Sequence, residues 1–143
     1  MKKRALLLLL SLCSLSAFGG ITPGDFYGIW KHTEPSPDDL VGFTEYKPNG
    51  QCLQVDHMVQ YGKSRWVFIE GKWGYGKALW LEVIRCSWPG LKPGTRMEVS
   101  LVEVTKDHMI SLEGGKRIEE VRSEMPIEFR KQLDAYLAQK DGQ

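Results

Sequence analysis

Between residues 26 and 122 the chain breaks into about eight short runs rich in Val, Ile, Trp, Tyr and Phe. Each run is separated from the next by a short connection carrying Gly, Pro, Asn or Asp. Parallel strands need crossovers of about a dozen residues or more, so this spacing predicts an all-β, up-and-down antiparallel meander. The expected strands are 26–32, 40–46, 51–60, 64–73, 78–86, 95–104, 108–112 and 116–122. Lys47-Pro48-Asn49-Gly50 is the clearest turn, because its Asn-Gly pair supplies the positive φ values of a tight hairpin. Met97, Val99 and Leu101 alternate with Glu98 and Ser100, the period-two pattern of a strand with one dry and one wet face.

The runs 64–73 and 78–86 break that pattern. Trp66 and Phe68 lie on one face with Val67 and Ile69 on the other, and Leu79, Leu81 and Val83 oppose Trp80 and Ile84. Both faces need cover, since a large apolar patch left in water invites association. One face can line a barrel; the other calls for a helix, and the C-terminal segment supplies one. Ser123 is a candidate N-cap, Pro126 suits the first turn, and Phe129, Leu133, Tyr136 and Leu137 form an apolar stripe. Asp141 and Gly142 close a helix expected over 126–140, which should pack on the outer face of the 66–84 hairpin.

Residues 1–19 read as a secretory signal peptide and stand apart from the fold. Lys2, Lys3 and Arg4 precede an apolar run, and Ala17-Phe18-Gly19 places small residues at −3 and −1 of a cleavage site before Gly20. The run is too short to cross a bilayer. Lipid attachment through Cys13 is the alternative, although Leu10-Ser11-Leu12 is a poor lead into a modified cysteine. Either way the destination is the periplasm or the exterior. Cleavage leaves 16 basic residues against 18 acidic ones, so the formal charge moves from +1 to −2. No Lys/Arg cluster then remains, which argues against a nucleic-acid partner. Residues 20–143 are enough for one domain with a real core, and no further transmembrane helix is expected.

Gly28-Ile29-Trp30 at the head of the first strand, about eight meander strands and a C-terminal helix together resemble the lipocalin-like (calycin) barrels, in particular small exported bacterial ones. The resemblance spans the whole mature chain. It implies that Trp30 closes one barrel end beneath an arginine from the end of the last strand or the helix that follows, a place matched by Arg122. The family's later Thr-Asp-Tyr motif is missing from its place; Thr44-Glu45-Tyr46 comes far too early to replace it. A half-open sandwich of the same strands is the alternative architecture.

Cleavage leaves Cys52 and Cys86, and an exported pair is usually bridged. The meander opposes this, since Cys52 opens its strand and Cys86 closes a parallel-running one, roughly 25 Å away along the strands. A disulfide needs Cα atoms within about 7 Å. Bridge and simple meander are therefore competing expectations.

No nucleophile elbow, His-Glu-x-x-His or phosphate-binding Gly loop is present, and Asp56-His57 as strand neighbours point to opposite faces. His32, Asp38, Asp39 and His57 match no metal-ligand spacing. No catalytic residues, metal or cofactor are expected. Two classes of function remain. One is a small apolar or amphipathic ligand held in the barrel, lined from Trp66, Phe68 and Trp80 or their opposite-facing neighbours, with loops 33–39 and 87–94 at the mouth. The other is a protein-interaction module (inhibitor, immunity protein or envelope-assembly accessory) that presents Trp88 from loop 87–94 as an anchor. A hollow interior favours the first; a packed interior with exposed Trp88 favours the second.

Overall fold

Pro23 pre-sets the φ of a 3₁₀ turn, Pro23–Phe26, whose start is held by the Thr22 backbone N–H donating to Asp25 Oδ2 at 2.7 Å. The structure, a computed structural model, describes residues 20–34 and 40–139. The expected signal segment with Cys13, residues Asp38 and Asp39, and the expected helix end at Asp141 and Gly142 lie outside these residues. Phe26, expected to open the first strand, belongs instead to the 3₁₀ turn, which carries its ring into the end of the barrel.

Eight strands follow: β1 (Gly28–Glu34), β2 (Leu40–Tyr46), β3 (Gln51–Gln60), β4 (Lys63–Tyr75), β5 (Leu79–Cys86), β6 (Arg96–Val104), β7 (His108–Glu113) and β8 (Lys116–Arg122). Each pairs antiparallel with the next, and β1 pairs with β8, so the meander closes into a barrel and the half-open sandwich is excluded. β4 extends past Trp73 because Gly74 and Tyr75 stay in the ladder opposite Trp80 and Leu79, which confines the turn to residues 76–78. Closure leaves the described sheet without a free edge.

The closed end of the barrel is a cluster of Phe26, Trp30, Tyr46, Cys52, Trp73 and Met109. Trp30 is fully buried, and its indole Nε1–H donates to the Phe26 carbonyl at 2.9 Å. The Arg122 guanidinium lies 4.2 Å from the centre of the Trp30 ring. It also donates from Nε to the Lys106 carbonyl at 2.6 Å, from Nη2 to the Asp25 carbonyl at 3.0 Å, and from Nη1 to the Tyr27 carbonyl. Gly28 adopts φ +114°, and a Cβ there would stand 2.8 Å from Arg122 Nη1. The Gly-x-Trp spacing is thus a physical requirement, with one residue giving way to the arginine that caps the other.

The helix α1 (Ile127–Ala138) lies on the outside of the barrel. Its N-cap is Pro126, not Ser123, because the Ser123 N–H still extends the β1 pairing by donating to the Ile29 carbonyl at 2.9 Å. Leu133 is fully buried against Phe43, Leu53 and Val55. Phe129 meets Phe43 and Trp66 edge-on, with ring centroids 5.0 and 4.8 Å away, and Tyr136 stacks on Phe68 at 4.8 Å. Arg130 to Glu45 at 3.2 Å ties the helix to β2, and Arg85 over the Tyr136 ring at 4.3 Å ties it to β5. The helix therefore covers β2 to β4 and reaches β5 through Arg85. Trp80 and Ile84, the other half of the hairpin expected beneath it, lie beyond the helix: Ile84 is exposed, and Arg96 lies over the Trp80 ring at 4.3 Å.

Cys52 and Cys86 are free thiols. The reason is not the expected separation along the strands. On β4 their partners are Gly71 and Ile69, only two residues apart, because β5 pairs with the middle and end of the long β4. What separates the two cysteines is β4 itself, which puts two strand spacings, about 10 Å, between them.

Candidate functional site

Beyond the closed end the barrel is hollow, with a cavity of about 280 Å³ whose lining includes Tyr46 and Leu79 of the closed-end cluster. Its two walls differ in kind. Ile69 on β4, Leu79 and Leu81 on β5, and Met97 and Val99 on β6 form an apolar wall, joined by Leu91 from the loop between β5 and β6. The opposite wall carries the polar groups, His32 on β1, Thr44 on β2, Gln54 and Asp56 on β3, and Glu113 and Glu120 on β7 and β8, with Leu40 and Ile118 among them.

The polar wall has a cause in the helix. On β2 and β3 the side chains that α1 covers are Phe43, Leu53 and Val55, so the apolar half of each alternation points outward. The inward set is Leu40, Gly42, Thr44 and Tyr46 on β2 and Cys52, Gln54 and Asp56 on β3, polar in its middle and apolar at its ends. At one level of the barrel four adjacent strands place Glu120, His32, Gly42 and Asp56 side by side: His32 is the cross-strand partner of Glu120, and Gly42 that of Asp56. A Cβ on Gly42 would collide with Asp56 Oδ1, so only glycine leaves the carboxylate its place in the wall.

Burial dominates the acid–base behaviour of this row. It pushes the Asp56 carboxyl up to about 6, against the downward pull of the Gln54 amide, which donates from Nε2 to Oδ2 at 2.9 Å, and of the nearby His32. Burial likewise pushes Glu120 up to about 7; His32 draws it down, while Asp56 and Glu113 push it further up. Buried carboxyls that titrate near neutrality in a cavity are the kind of group found at binding sites.

The residues expected to line a pocket are redistributed. Trp66 and Phe68 face outward beneath α1, and Trp80 faces outward beneath Arg96; none of the three lines the cavity. Their opposite-facing neighbours do: Ile69 beside Phe68, and Leu79 and Leu81 on either side of Trp80. Trp88 is 39 % exposed, with Arg65 over its ring at 5.3 Å, so it neither plugs the barrel nor touches the cavity. Gly28, Trp30 and Arg122 meet at the closed end, away from the cavity mouth. His32 and His57 lie on opposite faces of the sheet, His57 packing on Trp66 outside at 4.6 Å, so the two imidazoles share no site. Asp56, Glu113 and Glu120 are the residues that reading the sequence missed. The signal for Glu120 was available: it stands two residues before Arg122 on one strand, and so shares its inward face.

Eight antiparallel strands in sequence order, closed β1 to β8 around a cavity and followed by one outer helix, decide the fold. The architecture is lipocalin-like. No protein-family model matches the sequence, and no curated protein matches it. Among solved structures, one of a lipocalin-like protein from Bacteroides uniformis is similar, at 12% sequence identity and a TM-score of 0.47, covering 69% of this chain and 99% of that one. No helix among the described residues is long and apolar enough to cross a membrane.

Proposed function

We propose that this chain is an exported, non-catalytic binding protein that holds one small amphipathic molecule in the barrel lumen. The observation that carries this reading is the two-walled cavity of about 280 Å³, whose apolar side can take a hydrocarbon body and whose polar row can orient a head group. That volume is at the lower end for ligand pockets, so the molecule is small. Export rests on the sequence of residues 1–19 alone. Amino-terminal sequencing of protein recovered from the cell envelope should begin at Gly20; a chain retaining Met1 overturns this part of the reading.

Filling the lumen tests binding directly. The uncharged fluorophore N-phenyl-1-naphthylamine should bind the protein with one-to-one stoichiometry and increased emission. Leu81→Trp, which projects an indole into the cavity from β5, should lower that affinity at least tenfold, while Trp80→Ala on the adjacent outward position leaves it unchanged. Equal binding by the two variants would place the fluorophore elsewhere on the surface and defeat the lumen reading.

A further inference from the structure

We propose that the lumen selects a small organic cation, a primary ammonium carried on a short apolar body, with the carboxylates of Glu120 and Asp56 receiving the charged head. This rests on the lumen-binding reading and narrows it to one ligand class.

Among the described residues the lining holds three carboxyls, Asp56, Glu113 and Glu120, against one imidazole, His32, and neither lysine nor arginine lines it. Arg122, the nearest guanidinium in sequence, is turned to the closed end and occupied by Trp30 and three backbone carbonyls. An anionic head group would therefore enter without a compensating cation among the described residues, while an ammonium would find several acceptors. Glu120 carries the argument furthest. Its carboxylate is half-buried and lines the cavity, and no described residue donates a hydrogen bond to it, so the cavity space itself is where a donor can reach it. A buried carboxylate ordinarily gathers donors from its surroundings. The groups facing it are His32 from β1, Tyr46 from β2, Asp56 from β3 and Glu113 from β7, and β4 to β6 oppose it with aliphatic side chains. Asp56 is half satisfied in the same way: Gln54 takes Oδ2, and Oδ1 lies over the gap that Gly42 leaves open. An ammonium has three N–H donors on one compact head, which suits two carboxylates facing one space. The apolar wall of Ile69, Leu79, Leu81, Met97 and Val99 lies across the cavity and would take the body.

Three ligands of the same length separate head-group chemistry from simple hydrophobic filling: n-octylamine, n-octanol and octanoate, titrated calorimetrically into the full-length protein at pH 7.5. Octylammonium should bind at least tenfold more tightly than octanol, and octanoate more weakly than either. Glu120→Gln, checked for folding by circular dichroism, should erase at least a tenfold share of octylammonium affinity while leaving octanol unchanged, and Asp56→Asn should act in the same direction. Octanol binding as tightly as octylammonium overturns the cation proposal but keeps the lumen as a binding site. Octanoate binding best overturns it outright. If none of the three binds, the lumen reading fails and the cation proposal fails with it. Should Glu120→Gln not fold, the comparison of the three ligands on the wild-type protein still decides.

Discussion

Trp30→Ala should lower the free energy of unfolding by about 3–5 kcal/mol, a large share of the 5–15 kcal/mol that holds a typical domain folded. Urea denaturation would register this as a lower midpoint with an unchanged slope. The indole is fully buried at the closed end, so truncation loses its apolar burial and opens a cavity among Phe26, Tyr46 and Met109. Two further contacts go with it: the Nε1–H bond to the Phe26 carbonyl that fixes the 3₁₀ turn, and the stacking surface for Arg122. Arg122 would keep its bonds to the carbonyls of Asp25, Tyr27 and Lys106, so the arginine is not left bare, which holds the loss to the range of a large core truncation. Trp88→Ala, at a partly exposed loop position, should change stability by no more than about 0.5 kcal/mol. A loss below about 1 kcal/mol for Trp30→Ala would mean that the closed end does not hold the barrel together.

That end of the barrel was the most legible part of the chain, because both its partners are marked locally: a glycine two residues before a tryptophan at the start of the first strand, and an arginine at the end of the last. Strand number and order were equally legible, since hairpin-length connections leave an antiparallel chain few alternatives. The binding wall was not. Large aromatics on a strand ordinarily point to a core, and Trp66 and Phe68 do join one, but it is the second core between sheet and helix. Periodicity shows that two faces of a strand differ; it cannot show which face encloses the lumen. On β2 and β3 the helix takes Phe43, Leu53 and Val55, so Thr44, Gln54 and Asp56 are turned inward, where alternation alone does not set them apart from solvent-facing residues. The cysteine separation was misjudged for a related reason. Register depends on where β5 meets β4, and neither the added length of β4 nor the shift between Glu70 and Gly71 is visible in composition.

The inward carboxyls give the unliganded protein an unusual dependence on pH: it should be more stable at pH 5 than at pH 8. Asp56 titrates near 6 and Glu120 near 7 in the folded chain, both above the ordinary values of 3.8 and 4.5 that they regain on unfolding. Below about pH 4 both are protonated in either state and exert no differential effect. As pH rises from about 4 to 7 the unfolded chain releases these protons first, so folding becomes progressively less favourable; above about 7 the loss is complete. A shift as large as that of Glu120 corresponds to about 3 kcal/mol if taken whole, and contact with cavity water reduces it, leaving about 1–2 kcal/mol for each carboxyl. The two are coupled, so their effects should not simply add. For a domain of this size the sum is a fall in melting temperature of several degrees between pH 5 and pH 8, readable by calorimetry. Glu120→Gln should remove about half of the slope and raise stability at pH 8, where the wild type holds a charge that desolvation disfavours. A melting temperature that is flat or rises with pH, alike in wild type and variant, would show that water reaches these carboxyls freely and that the row is not enclosed. The same linkage ties stability to the ligand. Saturating octylammonium would stabilise the folded chain most where the carboxylates are ionised, so it should lift the melting temperature at pH 8 far more than at pH 5 and flatten the profile, whereas octanol should displace it nearly evenly.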